Sequence, residues 1–194
     1  MQSGAAQALP DSTDREHAVS VPLAGLVHIR AFDATDAGPL ARWVGTARDL
    51  RWLAPGTLPP LTPEKVLAWK KPGGRAYCLS TCDAPEPIGY GELNPMRGEN
   101  GHWWLGHVIV RGDLRGQGIG HVFVRGLLDR AFHELNADRV SLIVFPGNVA
   151  AIGCYRRNGF NPVSDEYHRF EPGGSKHRLL RFELRRVDRR PPTA

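Results

Sequence analysis

Residues 115–120, Arg-Gly-Gln-Gly-Ile-Gly, stand between the apolar run His-Val-Ile-Val at 107–110 and a stretch with helical spacing. The mouth of a helix presents unpaired backbone N–H groups and the positive end of its dipole, which together attract anions. Gly116, Gly118 and Gly120 take β-carbons out of a turn that would have to let a diphosphate approach closely, and glycine is free to take positive φ there, while Arg115 adds a fixed charge. A strand-to-helix turn of this composition also occurs without a ligand, so the segment alone leaves both readings open. It does exclude two others. Neither G-x-x-x-x-G-K-[ST] nor G-x-G-x-x-G fits, because His121, Val122 and Phe123 follow Gly120 where a dinucleotide-binding turn needs another glycine. A nucleotide hydrolase and a Rossmann dehydrogenase are thereby set aside.

The elements that must position this turn follow from periodicity. Residues 26–32 alternate and read as a first strand, after which Asp33 or Thr35 starts a helical region. Leu40, Trp43, Val44, Ala47 and Leu50 give helical spacing across 39–53, and a proline-rich stretch then interrupts it. Thr62 as N-cap, Pro63 at the first helical position and Glu64 in the first turn open a second helix over 62–71. Residues 75–82, 86–94 and 101–110 read as an antiparallel meander. Ile119, Val122, Phe123, Leu127, Ala131 and Leu135 form the buried stripe of a helix over 118–135, and 139–145 is a buried strand. Strand, helix and strand imply a right-handed crossover and a parallel pair. A short helix over 148–157, stopped at Asn158-Gly159, precedes two last strands around Pro172-Gly-Gly-Ser175. The expectation is an α+β domain with a single mixed, mostly antiparallel sheet of about seven strands and about four helices.

Composition narrows the class. The chain has 194 residues, 41% of them hydrophobic, enough for one core and one domain. The domain is expected over 23–188, between a small, polar, aperiodic leader (1–22) and a tail (189–194), both read as disordered. A formal charge of +5 and a pI near 9.4 favour anionic partners. Part of that charge sits in Arg185, Arg186, Arg189 and Arg190, and no basic patch is interleaved with stacking aromatics, so nucleic acid is disfavoured. Cys78, Cys82 and Cys154 are odd in number, lack C-x-x-C spacing and have no histidine cluster beside them, which argues against a disulfide framework or a metal site. No run approaches the roughly 18 apolar residues of a membrane span, and the start lacks a signal-peptide pattern, so a cytoplasmic protein is expected.

A second motif gives the turn a context. Arg115, Gly118 and Gly120 match the Arg/Gln-x-x-Gly-x-Gly/Ala signature, and Asn148, Ala151, Tyr155, Gly159 and Phe160 match an Asn-x-x-Ala-x-x-x-Tyr-x-x-x-Gly-Phe segment downstream. In both, and in the order of strands over about 26–187, the chain resembles the GNAT superfamily of N-acetyltransferases. The resemblance implies the GNAT-type acyl-CoA N-acyltransferase fold, with acetyl-CoA as co-substrate lying between two splayed strands. Backbone groups of Val108, Ile109 and Val110 would hold the pantetheine arm. The N–H groups of Arg115, Gly116, Gln117, Gly118, Ile119, Gly120 and His121 would hold the pyrophosphate, and Asn148 and Tyr155 would meet the cofactor from the other side. Asn148 is equally the N-cap of its helix.

The implied reaction is direct attack of an amine on the acetyl carbonyl in a ternary complex. Tyr155 matches the family's general acid, although by residue type alone it is a packing aromatic. Cys154 beside it has no paired histidine and reads as inert packing. A primary ammonium with a pKa of about 10.4 must first lose a proton, so a general base is required. The glutamate that some members carry on the strand before the signature is replaced here by Trp104, which leaves Glu92 and His107 as the candidate bases. The acceptor side falls on 39–71 and 164–180, and the acceptor is a small-molecule or peptide amine. The missing glutamate also motivates an alternative, a non-catalytic acetyl-CoA sensor. Homodimers are common in the family, yet no apolar stripe marks an interface.

Overall fold

The computed structural model describes residues 26–188. The expected leader and tail lie outside the described residues. Seven strands, β1 (Val27–Ala31), β2 (Arg75–Thr81), β3 (Ala84–Pro95), β4 (His102–Val110), β5 (Arg139–Val144), β6 (Asn161–His168) and β7 (His177–Arg185), form one sheet. Their order is β1-β2-β3-β4-β5-β7-β6. Every neighbouring pair is antiparallel except β4 and β5, which the crossover through the central helix makes parallel.

The stretch 39–53 is two helices, not one: α1 (Ala37–Trp43) and α2 (Ala47–Leu53). Thr46 is extended and its hydroxyl accepts from the Asp49 N–H at 3.0 Å, so a new helix starts where the apolar spacing runs on unbroken. Five α-helices result instead of about four. α3 (Pro63–Leu67) begins as its cap predicts, with Thr62 accepting from the Lys65 N–H and Pro63 in the first turn. α4 (Ile119–Asp129) ends in one wide turn over Arg130–Glu134, in which the Leu135 N–H reaches the Arg130 carbonyl, and α5 is Val149–Arg157.

The helices cover both faces of the sheet. α4 buries Phe123, Leu127 and Leu128 against Leu93, Leu105 and Val140, and it comes so close to β3 that a Cβ on Gly91 would stand 2.8 Å from Leu127. On the other face Leu40, Leu50 and Val66 of α1–α3, with Trp69 just after α3, cover Tyr90 and Ile109. The alternation of β3 therefore sends Tyr90 and Glu92 to the α1–α3 side.

Buried Asp36 ties β1 to that second layer. Arg30 donates to both of its carboxylate oxygens, at 2.7 and 2.8 Å, and the Asp33 N–H adds a third bond. Burial pushes the carboxyl up, but Arg30 and the backbone donor outweigh it, so its pKa lies below the ordinary value. A depressed folded pKa contributes stability above the unfolded value and loses it as pH falls through the folded one. Asp36→Asn is expected to lower stability by roughly 2–3 kcal/mol, less than a fully enclosed pair because Arg30 reaches solvent. It should also flatten the acid limb of urea-unfolding stability below pH 4; a variant with the parent's acid slope would refute the assignment.

Candidate functional site

β4 and β5 pair over only three rungs, His102↔Arg139, Trp103↔Val140 and Trp104↔Ser141. β4 nevertheless stays on β3 as far as Val110↔Gly89, and β5 on β7 as far as Val144↔Leu180. Beyond Trp104 and Ser141 the two strands part. The cause lies in β4. Glu92 opposes Gly106 and Tyr90 opposes Ile109, so His107 and Val108 together face the single residue Gly91, and His107 has φ +49. Such a bulge bends a strand and raises its twist, which turns Val108–Val110 away from β5. On that edge no strand pairs with Val108, Ile109 or Val110 among the described residues, although the Val110 carbonyl accepts from Arg115 Nε at 3.1 Å.

The glycine turn closes the wide end of this cleft. Gly116 (φ +80) and Gly118 (φ +82), the residue capping α4, need the left-handed region, while a Cβ on either would meet nothing within 4 Å. Conformation, not crowding, calls for glycine there. Among the described residues the N–H groups of Gly116, Gln117, Gly118, Ile119 and Gly120 have no backbone acceptor, whereas those of Arg115 and His121 bond to Gly112 and Gly118. Five consecutive N–H groups without a backbone acceptor thus stand at the head of an 11-residue helix, an arrangement suited to an anion. The Arg115 guanidinium lies 4.0 Å from Asp49 of α2. The His121 ring lines a groove against Val27 and Ile29, where burial, with Arg157 and Arg125 nearby, lowers its pKa.

α5 forms the opposite lip. The Asn148 side chain accepts from the Ala151 N–H at 3.3 Å and so serves as the N-cap. Cys154 Sγ and Val110 both lie within 3.9 Å of the point a Cβ on Gly120 would occupy, so α5, the first turn of α4 and the end of β4 meet there. Burial pushes the Cys154 thiol up, which disfavours a thiolate. Tyr155 packs edge-on against Phe160 at 5.8 Å, its phenol is also pushed up by burial, and its hydroxyl makes no hydrogen bond among the described residues.

Glu92 and His107, alternatives in the sequence, are in contact in the structure. The bulge carries His107 Nδ1 to 2.9 Å from Glu92 Oε1, out of line for a hydrogen bond, and Nδ1 has no other partner. The ring stacks on Trp69 at 4.3 Å and is 22% exposed; since Nδ1 is buried, the exposed edge is elsewhere on the ring. Glu92 is 2% exposed and accepts from Tyr90 Oη at 2.6 Å and Asn94 Nδ2 at 3.0 Å. Burial pushes its carboxyl up, but His107, Tyr90 and Asn94 together prevail and hold it below the usual range. Trp69 was not among the candidates, and its only signal was its place in the α3 region. Gly106 within the strand pattern was the available sign of the bulge.

The acetyltransferase (GNAT) family pattern matches residues 44–160, more than half of the chain. The chain belongs to this family. Among curated GNAT relatives, the aminoglycoside N(6')-acetyltransferase type 1 of Klebsiella pneumoniae is 27% identical over 85 residues, covering 39% of this chain and 42% of that protein. The uncharacterized N-acetyltransferase YobR of Bacillus subtilis is 32% identical over 72 residues, 37% of this chain and 29% of that one. The match thus spans less than half the length of these relatives. Among solved GNAT structures, spermidine N-acetyltransferase from Vibrio cholerae, in complex with CoA and spermine, superposes with a TM-score of 0.70 at 16% identity, over 84% of this chain and 98% of that one. An aminoglycoside acetyltransferase in complex with coenzyme A gives 0.64 at 19% identity, over 84% and 96%. At such identities the likeness establishes the fold.

Proposed function

We propose that the protein transfers an acetyl group from acetyl-CoA to a primary amine by direct attack in a ternary complex. The carrying observation is the wedge that opens beyond Trp104 and Ser141 and ends in five unpaired N–H groups, a match in shape and charge to a pantetheine arm and its diphosphate. Gly116–Gly120 hold the diphosphate, and the free edge of Val108–Val110 holds the arm. Acetyl-CoA supplies the activated thioester; the rest is done by side chains. The amine nitrogen forms the C–N bond as the C–S bond breaks, so one proton must leave nitrogen and one must reach sulfur. His107, by its exposed edge, takes the first. Glu92, held anionic, is a weak base, and its carboxylate beside Nδ1 favours the protonated ring once His107 has taken that proton. Tyr155, a phenol whose hydroxyl has no hydrogen-bond partner among the described residues, supplies the second proton.

The amine class is supported by relatives named for spermidine and aminoglycosides. The three free thiols are in keeping with a reducing cytoplasm. The test is release of free CoA from acetyl-CoA over a panel of primary amines, beside a calorimetric titration. Turnover on at least one amine is expected. Tyr155→Phe should lower kcat by about 10²-fold with little change in the acetyl-CoA Kd. Tight binding without turnover on any amine would overturn catalysis in favour of the sensor reading.

A further inference from the structure

The nature of the acceptor, which rests on the acetyl-transfer reading, is written in a cavity of about 340 Å³ between α3 and strands β2 and β3. Buried Glu92, with Tyr90 and Asn94 hydrogen-bonded to it, lies in a lining that also includes Phe32, Val66 and Ala76. The rim is cationic, formed by Lys70 and Lys71 after α3 and Arg75 at the start of β2. None of the three has a carboxylate partner among the described residues; Arg75 reaches only the carbonyls of Gly73 and Gly74, at 3.5 and 3.4 Å. The cavity joins the reaction centre, because the carboxylate that lines it also touches His107 on the strand bordering the wedge.

Several acids outside the cavity are already engaged. Asp49 faces Arg115, Glu166 meets His168 and Arg181, and Glu183 meets Arg139 and Arg185. Within the cavity lining itself a polycation would meet three bare positive charges and one carboxylate, Glu92. We infer that the acceptor is a small primary amine that also carries a carboxylate or similar anionic group, an amino-acid-like molecule. Its amine lies toward Glu92 and His107 and its anion toward Lys70, Lys71 and Arg75. The volume suits a small molecule of this kind, and opposite charge at the two ends of the cavity fixes its direction.

The test uses the full chain loaded with acetyl-CoA. CoA release is measured with amino acids, their uncharged amides and spermidine, and binding of the same compounds is followed by calorimetry. The best amino acid should exceed its own amide and spermidine in kcat/KM by about tenfold or more. The double change Lys70→Glu with Arg75→Glu, both exposed, should raise its KM by about tenfold and shift preference toward the amide, with the acetyl-CoA Kd unaltered. Preference for spermidine or the amide, with turnover intact, would overturn the acceptor class and leave acetyl transfer standing. Where acetyl-CoA binds and no compound turns over, calorimetry decides. Selective binding of the amino acid over its amide supports the acceptor class even as catalysis fails, and equal or absent binding overturns it.

Discussion

Gly118→Asp should weaken acetyl-CoA binding by at least about 100-fold, or about 2.7 kcal/mol, while the protein stays folded. The position has φ +82 and open space where a Cβ would stand, so an added Cβ meets nothing. The left-handed conformation costs most residues roughly 1–2 kcal/mol, but Asp and Asn are the side chains that visit it. The new carboxylate would lie at the head of α4 among the five free N–H groups, occupying donors the diphosphate needs and repelling its charge. Gly118→Asn is the control, with the same backbone demand and no charge; its loss should be at least tenfold smaller. Calorimetry and urea unfolding read the two effects separately. A Kd for the Asp variant within about threefold of the parent would remove the turn from the cofactor site.

His107→Asn should lower kcat at pH 7 by about 10²- to 10³-fold, the usual scale for losing a positioned proton acceptor. Asparagine tolerates the φ of +49 that the bulge imposes, so the strand keeps its course and the wedge its shape. The pH profile carries the sign. Without a base, attack depends on amine that is already neutral, and with an ammonium pKa of about 10.4 the log of kcat/KM should climb about one unit per pH unit up to roughly pH 10. Parent-like rates at pH 7 would mean that another group takes the proton. A flat profile at a low rate would instead indicate damage to the wedge.

How much of this was legible depended on whether the signal was local. Strand alternation, the Thr62-Pro63 cap and the helical stripe from Ile119 are local, and the structure reproduces them, as it does the parallel β4–β5 pair implied by strand-helix-strand order. The break between α1 and α2 was hidden because Thr46 caps a new helix without disturbing apolar spacing. The wedge was reachable only through resemblance, since register between β4 and β5 is a long-range property. The Glu92–His107 contact was out of reach altogether. Period-two alternation places 92 and 107 by parity within each strand, and a bulge shifts that parity by one residue.

Three rungs hold the two halves of the sheet together at the β4–β5 seam, and past them each half shows an inner edge that no strand of the described residues pairs with. On the proposed function, the pantetheine arm would serve as a strand that the gene does not encode. A ligand that binds only the folded chain adds RT ln(1 + [L]/Kd) to its stability, about 2.7 kcal/mol at a hundred times Kd. On that proposal the fold is coupled to its co-substrate, and the protein's lifetime in a cell should follow the supply of acetyl-CoA.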